Sequence, residues 1–227
     1  MLSRVASGQW CGFLFLFILL TSAMSKMLAG PPLNALDVPD TLRGVAASGS
    51  KFRESIALDL LSHACILALA GLLYVTFSPL SRSLALLGTL WRVGEGIIIL
   101  FNEVNSILLL SVAQRYIAAT GPEAVALEAV GRTLILSEEW GFRIGMALLA
   151  LGHLMYALLF VSTRTLPVAL GGWGAVASLL AAAGIWVKVA NPNVSTLVTQ
   201  ASFAPLIPYE VVLGIWLLLR GGQIGLP

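Results

Sequence analysis

The stretch Leu90–Ser106, LWRVGEGIIILFNEVNS, decides how the chain is read. It is apolar enough to lie in a bilayer, yet it carries Arg92 and Glu95 one helical turn apart, then Asn102, Glu103 and Asn105. Charged side chains at membrane depth are expensive. Where they occur, they face a bundle interior or a water-filled cavity and pair with one another. The stretch therefore points to an all-α, polytopic membrane protein whose buried polar groups either hold helices together or carry chemistry.

The whole chain agrees with that reading. Of its 227 residues 58% are hydrophobic and 11% charged, and the mean hydropathy is +0.93. A soluble domain is about 25% charged. The length holds about six spans of roughly 20 residues with their connections, and no large soluble domain besides. The net charge of +2 is dispersed, and no basic run or aromatic-interleaved patch suits nucleic acid as a partner. Cys11 and Cys65 fall in different apolar segments and read as free buried thiols.

The six spans are expected at 10–28, 55–77, 84–112, 140–161, 168–189 and 205–219, as one transmembrane helical domain over residues 1–227. Arg4, the apolar core Phe13–Leu20 and the small residues Ser22 and Ala23 also fit a secretory signal peptide. The apolar run is long enough to span, however, and no soluble mature protein follows it. Residues 30–51, rich in Pro, Gly and Ser, read as a loop. Residues 114–139 read as a long connection. Within it Gly121-Pro122-Glu123 marks a helix start, and Val125, Ala129, Val130 and Leu134 give the stripe of a separate interfacial helix. Residues 191–204 read as a loop carrying the sequon Asn193-Val194-Ser195. The fifth span is dense in Gly and Ala, which predicts a helix inside the bundle.

Short turns at residues 78–82 and 162–167 make spans two and three, and four and five, antiparallel hairpins. Their connectors, FSPLSRSLALLG and VSTRTLPVALGG, are alike, either through internal duplication or through shared turn composition. Arg4, Arg82, Arg164 and Arg220 fall on one side in connections without acids. The bias of short loops toward Lys and Arg on the cytoplasmic side then predicts cytoplasmic termini in a cell (inner) membrane.

Six ionisable residues form the expected intramembrane polar site: Asp59, His63, Arg92, Glu95, His153 and Glu210. Asp59 and His63 share a helix face at i, i+4. A rise of about 1.5 Å per residue sets Asp59 and Glu210 in the outer part of the core. It sets His63 and Glu95 deeper, Arg92 and His153 near the middle, and Asn102 and Glu103 toward the outer surface. This suggests a polar cavity opening outward. Each element also has a purely structural reading. Arg92 and Glu95 can neutralise each other and fix registry, Asp59 and Glu210 can be solvated from the interface, and each histidine can be a hydrogen-bonded core residue.

Three functions follow. A small transporter, working as a homodimer if six spans are too few, would move protons or a small polar solute, with Arg92 as the anion-binding or counter-charge residue and Glu95 and His153 carrying protons. A non-catalytic accessory or partner subunit needs only a stable bundle with polar locks. An intramembrane metalloprotein could use Asp59, His63 and His153 for zinc, or the two histidines as axial haem ligands. The estimated depths of the histidines differ by about 8 Å on the helical rise, which disfavours this third class, so no cofactor is expected. With no P-loop, nucleophile elbow or paired-cysteine motif, the chain does not read as an enzyme.

Several motifs, taken together, are specific. They are Phe52-Arg53 followed by Asp59, SPLSRSLALLG at the first turn, and WRVGE in the third span. WGFRIG leading to Gly152-His153, the turn from Thr165 to Gly172, and PYEVVLGIWLLLRG near the end complete the set. In these the chain, from about Phe52 onward, resembles the bacterial integral-membrane family named domain of unknown function forty-three eighty-six. The resemblance implies a six-span fold and no particular activity.

Overall fold

The structure, a computed structural model, describes residues 4–30 and 32–223. The described residues are helical, with no strand among them. In order they form α1 (Arg4–Ala29), α2 (Val38–Ala47), α3 (Gly49–Phe77), α4 (Arg82–Tyr116), α5 (Pro122–Thr163), α6 (Val168–Ala190), α7 (Thr196–Phe203) and α8 (Leu206–Arg220). A turn of 3-10 helix, Gly221–Gln223, follows. Six segments are long and apolar enough to cross a membrane: Ser7–Ala29, Gly49–Phe77, Arg82–Tyr116, Pro122–Thr163, Val168–Ala190 and Leu197–Arg220. These are the helices of a multi-pass membrane protein, six as expected.

Three connections differ from the sequence reading. Residues 30–51 are not all loop, because α2 forms within them. Asp37 caps it, accepting a hydrogen bond from the Asp40 backbone N–H, Pro39 sits in the first turn, and Val38, Leu42 and Val45 make one buried stripe. Residues 114–139 do not hold a separate interfacial helix. A helix does start at Pro122, after Gly121 with φ +59°, but it runs on unbroken through Glu138 and Glu139 to Thr163. It is rich in Ala, Leu and Glu and contains no proline after Pro122, and its four glycines do not break it. At 42 residues this helix is roughly 63 Å long, about twice the hydrocarbon thickness of a bilayer. Residues 191–204 hold α7, capped by the Ser195 hydroxyl accepting from the Leu197 backbone N–H. The last apolar segment therefore begins at Leu197 rather than at Pro205.

The fold has two compact units. Four helices, α1, α3, α4 and α5, contribute residues to both. The first unit draws on Met1–Leu19, Cys65–Ile97 and Arg143–Pro227, the second on Leu20–Ala64 and Ile98–Phe142.

The core of the first unit is built from Phe15 of α1, Leu73 and Phe77 of α3, Tyr156 and Phe160 of α5, Ala177 and Ala181 of α6, and Tyr209, Leu213 and Leu217 of α8. α6 packs through one face. Its small residues Gly174, Ala177, Ser178, Ala181 and Ala182 are buried, while Val176, Leu179, Leu180 and Trp186 are exposed. Small side chains let this helix approach its neighbours closely, and its large apolar side chains are left for lipid. α1 and the C-terminal helix approach backbone to backbone. A Cβ at Gly12 would run into the backbone of Gly214 and Leu218, and one at Gly8 into that of Gly221.

The second unit has its own core, in which Val38, Leu42 and Val45 of α2 meet Phe52 and Ile56 of α3, Leu109, Leu110 and Ala113 of α4, and Ile135 of α5. Here α4 and α5 are antiparallel, joined by the turn at residues 117–121. Exposed ends of this turn carry an ion pair, Arg115 to Glu123 at 3.6 Å.

Candidate functional site

The six residues singled out in the sequence fall into two groups. Arg92, Glu95, His153 and Glu210 belong to the first unit, and Asp59 and His63 to the second.

In the first unit, α4 presents Arg92 and Glu95 from successive turns of one face. The guanidinium Nη1 lies 2.8 Å from Glu95 Oε2, and the side chains are 3% and 0% exposed. Arg92 reaches this position along α5, because a Cβ at Gly152 would press on its Cγ at 2.9 Å. The next residue, His153, directs Nδ1 at the carbonyl oxygen of Leu149, 3.1 Å away in the preceding turn. Its other nitrogen, Nε2, lies 3.2 Å from Oε1 of Glu210 on α8. The charge of Arg92 is felt at both His153 and Glu210, and that of Glu210 at Glu95. The His153 ring is walled by the rings of Phe15 and Tyr209, with centroids at 5.8 and 6.1 Å.

Ion-pair distances here do not come with hydrogen-bond geometry. Arg92 Nε and Nη1, both Glu95 carboxylate oxygens, His153 Nε2 and the Tyr209 hydroxyl are all buried without a hydrogen-bond partner. A low-dielectric interior makes unpaired polar atoms costly, and a buried native group left in that condition calls for an explanation.

Two features of this group fix its chemistry. A carbonyl oxygen only accepts, so His153 Nδ1 carries a hydrogen and donates to Leu149. A neutral imidazole protonated at Nδ1 has a bare lone pair on Nε2, and Nε2 lies 3.2 Å from a carboxylate oxygen. Two acceptors 3.2 Å apart repel unless a proton lies between them. The charge balance says the same. With both glutamates ionised and His153 neutral, the group has one more negative than positive charge, in surroundings where an uncompensated charge is very unfavourable.

Glu210 differs from its sequence-based placement. Its carboxylate lies 3.2 Å from His153 Nε2, so the two side chains lie at one level, where the helical rise set His153 deeper.

In the second unit the polar groups are better supplied. Asp59 accepts from the Ser25 hydroxyl at 2.5 Å, and Ser62 donates to the Thr21 hydroxyl at 2.6 Å. Asn102 donates to the Glu138 carbonyl oxygen at 2.9 Å, and Asn105 donates to both Asn102 Oδ1 and Ser137 Oγ. Lys26 lies 5.4 Å above the Phe142 ring. His63 pairs with Glu103 of α4, Nδ1 to Oε1 at 3.6 Å, each side chain 10% exposed.

Sequence reasoning did not select Glu103, Glu138, Tyr209 or the α1 hydroxyls Thr21 and Ser25 as site residues. Glu138 was assigned to a connection, and the hydroxyls carry no charge to flag them. Among the described residues, no group of three or more His, Cys, Asp or Glu side chains is arranged to hold a metal ion. Each histidine instead faces one glutamate.

No curated protein and no solved structure matches the chain. A family model does, over residues 10–221, which extends the likeness from Phe52 back through α1. The chain belongs to the family described as Domain of unknown function (DUF4386).

Proposed function

We propose that this membrane protein binds and moves protons, alone or together with a small polar solute, at Arg92, Glu95, His153 and Glu210. The observation that carries the reading is the contact of His153 Nε2 with Glu210 Oε1, made while Nδ1 is committed to the Leu149 carbonyl. With a proton between Nε2 and Oε1, the four side chains are neutral as a set. When it leaves, His153 becomes a neutral imidazole beside a bare carboxylate, and the set carries one negative charge. Arg92 limits the cost of that state, since its charge acts on both partners. Uptake and release thus switch the buried charge between zero and one, the property a proton-linked carrier needs. The negative balance argues against an anionic solute. Cytoplasmic termini, favoured by Arg4, Arg82, Arg164 and Arg220, would set the direction of flux.

The test is proton flux into liposomes carrying the purified protein and an internal pH dye, driven by an imposed potential. The wild type should exceed empty liposomes, and Glu210→Gln, nearly isosteric, should lower the rate at least tenfold. Wild-type flux equal to that of empty liposomes overturns the reading.

One observation favours a second reading, a non-catalytic accessory subunit. Glu95 has no exposure at all and Arg92 only 2%, as suits a lock that never opens. Co-purification of a stoichiometric partner, with no flux, would support it.

A further inference from the structure

We propose that His63 and Glu103 form a second proton-binding pair, separate from the first and housed in the second unit. The inference rests on the preceding reading only for what the protein does with protons. The binding itself stands on the geometry around His63.

His63 is more than nine-tenths buried, and its Nδ1 makes no hydrogen bond. That nitrogen lies 3.6 Å from Glu103 Oε1 across the α3–α4 contact. The distance is a few tenths of an ångström beyond a hydrogen bond, so a small rotation of either side chain closes it. In a unit where Ser25, Ser62, Asn102 and Asn105 all have partners, this atom stands out.

The charges facing the pair come from every helix around it. Asp59 lies one turn earlier on α3, and its charge acts on Glu103. Glu138 of α5 also acts on Glu103. Lys26 of α1 acts on Asp59 and Glu138, while its ammonium sits over Phe142. Glu139 adds its charge at Glu138. Carboxylates thus outnumber the lysine around the pair. The Ser25 hydroxyl eases Asp59 and the Ser106 hydroxyl eases Glu103, and Glu103 also has beside it the one neutral base in the group. A proton received between Oε1 and Nδ1 removes one excess negative charge, and no other side chain among those named can accept it as an imidazole does. Both sites follow one plan, a histidine facing a glutamate from another helix. α4 serves both, through Glu95 in the first unit and Glu103 in the second.

The chain has only two histidines, so the test needs no reconstruction. Full-length protein in lipid nanodiscs, with ¹⁵N-labelled histidine rings, is titrated from about pH 9 to about pH 4, a range that brackets ordinary carboxyl and imidazole groups. The carboxyl infrared bands are followed in parallel, and His153→Gln assigns the spectra. The expected result is one proton taken up by the pair, seen at the His63 ring, at the Glu103 carboxyl, or at both. In Glu103→Gln the infrared change is lost and any His63 midpoint moves at least tenfold in proton concentration. The inference is overturned if neither group changes state in the wild type, or if Glu103→Gln leaves the change as it was. Behaviour of His153 in the same spectra bears on the first site alone, so the two can fail independently.

Discussion

Apart from the His–Glu pair that each holds, the two units bury polar side chains in different ways. In the second, hydroxyls and amides do most of the work, and Asp59, Ser62 and Asn102 each have a directed hydrogen bond from another helix or to one. In the first, formal charges dominate, and Arg92, Glu95, His153 and Tyr209 keep buried atoms with no hydrogen bond. A neutral hydrogen-bonded lock between membrane helices contributes about 0.6 kcal/mol on average and asks nothing of its surroundings. A cluster of charges without directed bonds is stable only as long as its members offset one another. The first arrangement suits holding helices in register, and the second suits a site whose charge changes in use.

The contrast can be broken most severely at Arg92. Arg92→Met leaves Glu95 buried with no counter-charge, which should cost about 3–5 kcal/mol. The double change Arg92→Met with Glu95→Leu should recover nearly all of it, while proton flux stays lost. Reversible unfolding in mixed detergent micelles measures both. A double variant as unstable as the single one would show that the pair does more than cancel charge.

The matching change in the second unit should be milder. Asn102→Ala deprives the Glu138 carbonyl and Asn105 of a partner, for an expected loss of about 1–2 kcal/mol. Gly141 bears on the same amide, since a Cβ there would collide with it. Gly141→Ala should therefore destabilise in the same direction, and the two effects should not add. Ser62→Ala removes a single hydroxyl bond and should cost about 0.6 kcal/mol in the same assay. A loss at Ser62 as large as that at Arg92 would erase the distinction between the units.

The smallest effect is expected at Asp40. Its carboxyl is held below the usual carboxylate range by the hydrogen bond and charge of Arg43, 2.8 Å away on the exposed face of α2. A lowered folded-state value means that the pair's contribution is present at neutral pH and lost only as pH falls through that lowered value. Since both groups are exposed, Asp40→Asn should leave the melting temperature at pH 7 within experimental error.

How much of this was legible in the sequence depended on whether the cause was local. Hydropathy located the six spans because lipid imposes length and composition on each one separately. The Arg92–Glu95 pair was readable because i, i+3 spacing within one helix brings it together. α2 was also written in the sequence, in Asp37, Pro39 and the stripe of Val38, Leu42 and Val45. It was outweighed by the surrounding Pro, Gly and Ser. Glu138 and Glu139 looked like the edge of a membrane and so hid the continuity of α5. The partners of the two histidines were not legible at all. Which glutamate meets His63 or His153 depends on how separate helices pack.

The glycine contact between α1 and the C-terminal helix has a consequence for how the protein is made. Gly12 lies so close to the backbone of Gly214 and Leu218 that it has no room for a side chain. During synthesis, however, α1 enters the bilayer some two hundred residues before its partner is translated. Until then its notch is empty and open to lipid or to the insertion machinery. α1 can meet α3 as soon as that helix follows, through Thr21 and Ser25, but its glycine face is filled only when α8 arrives.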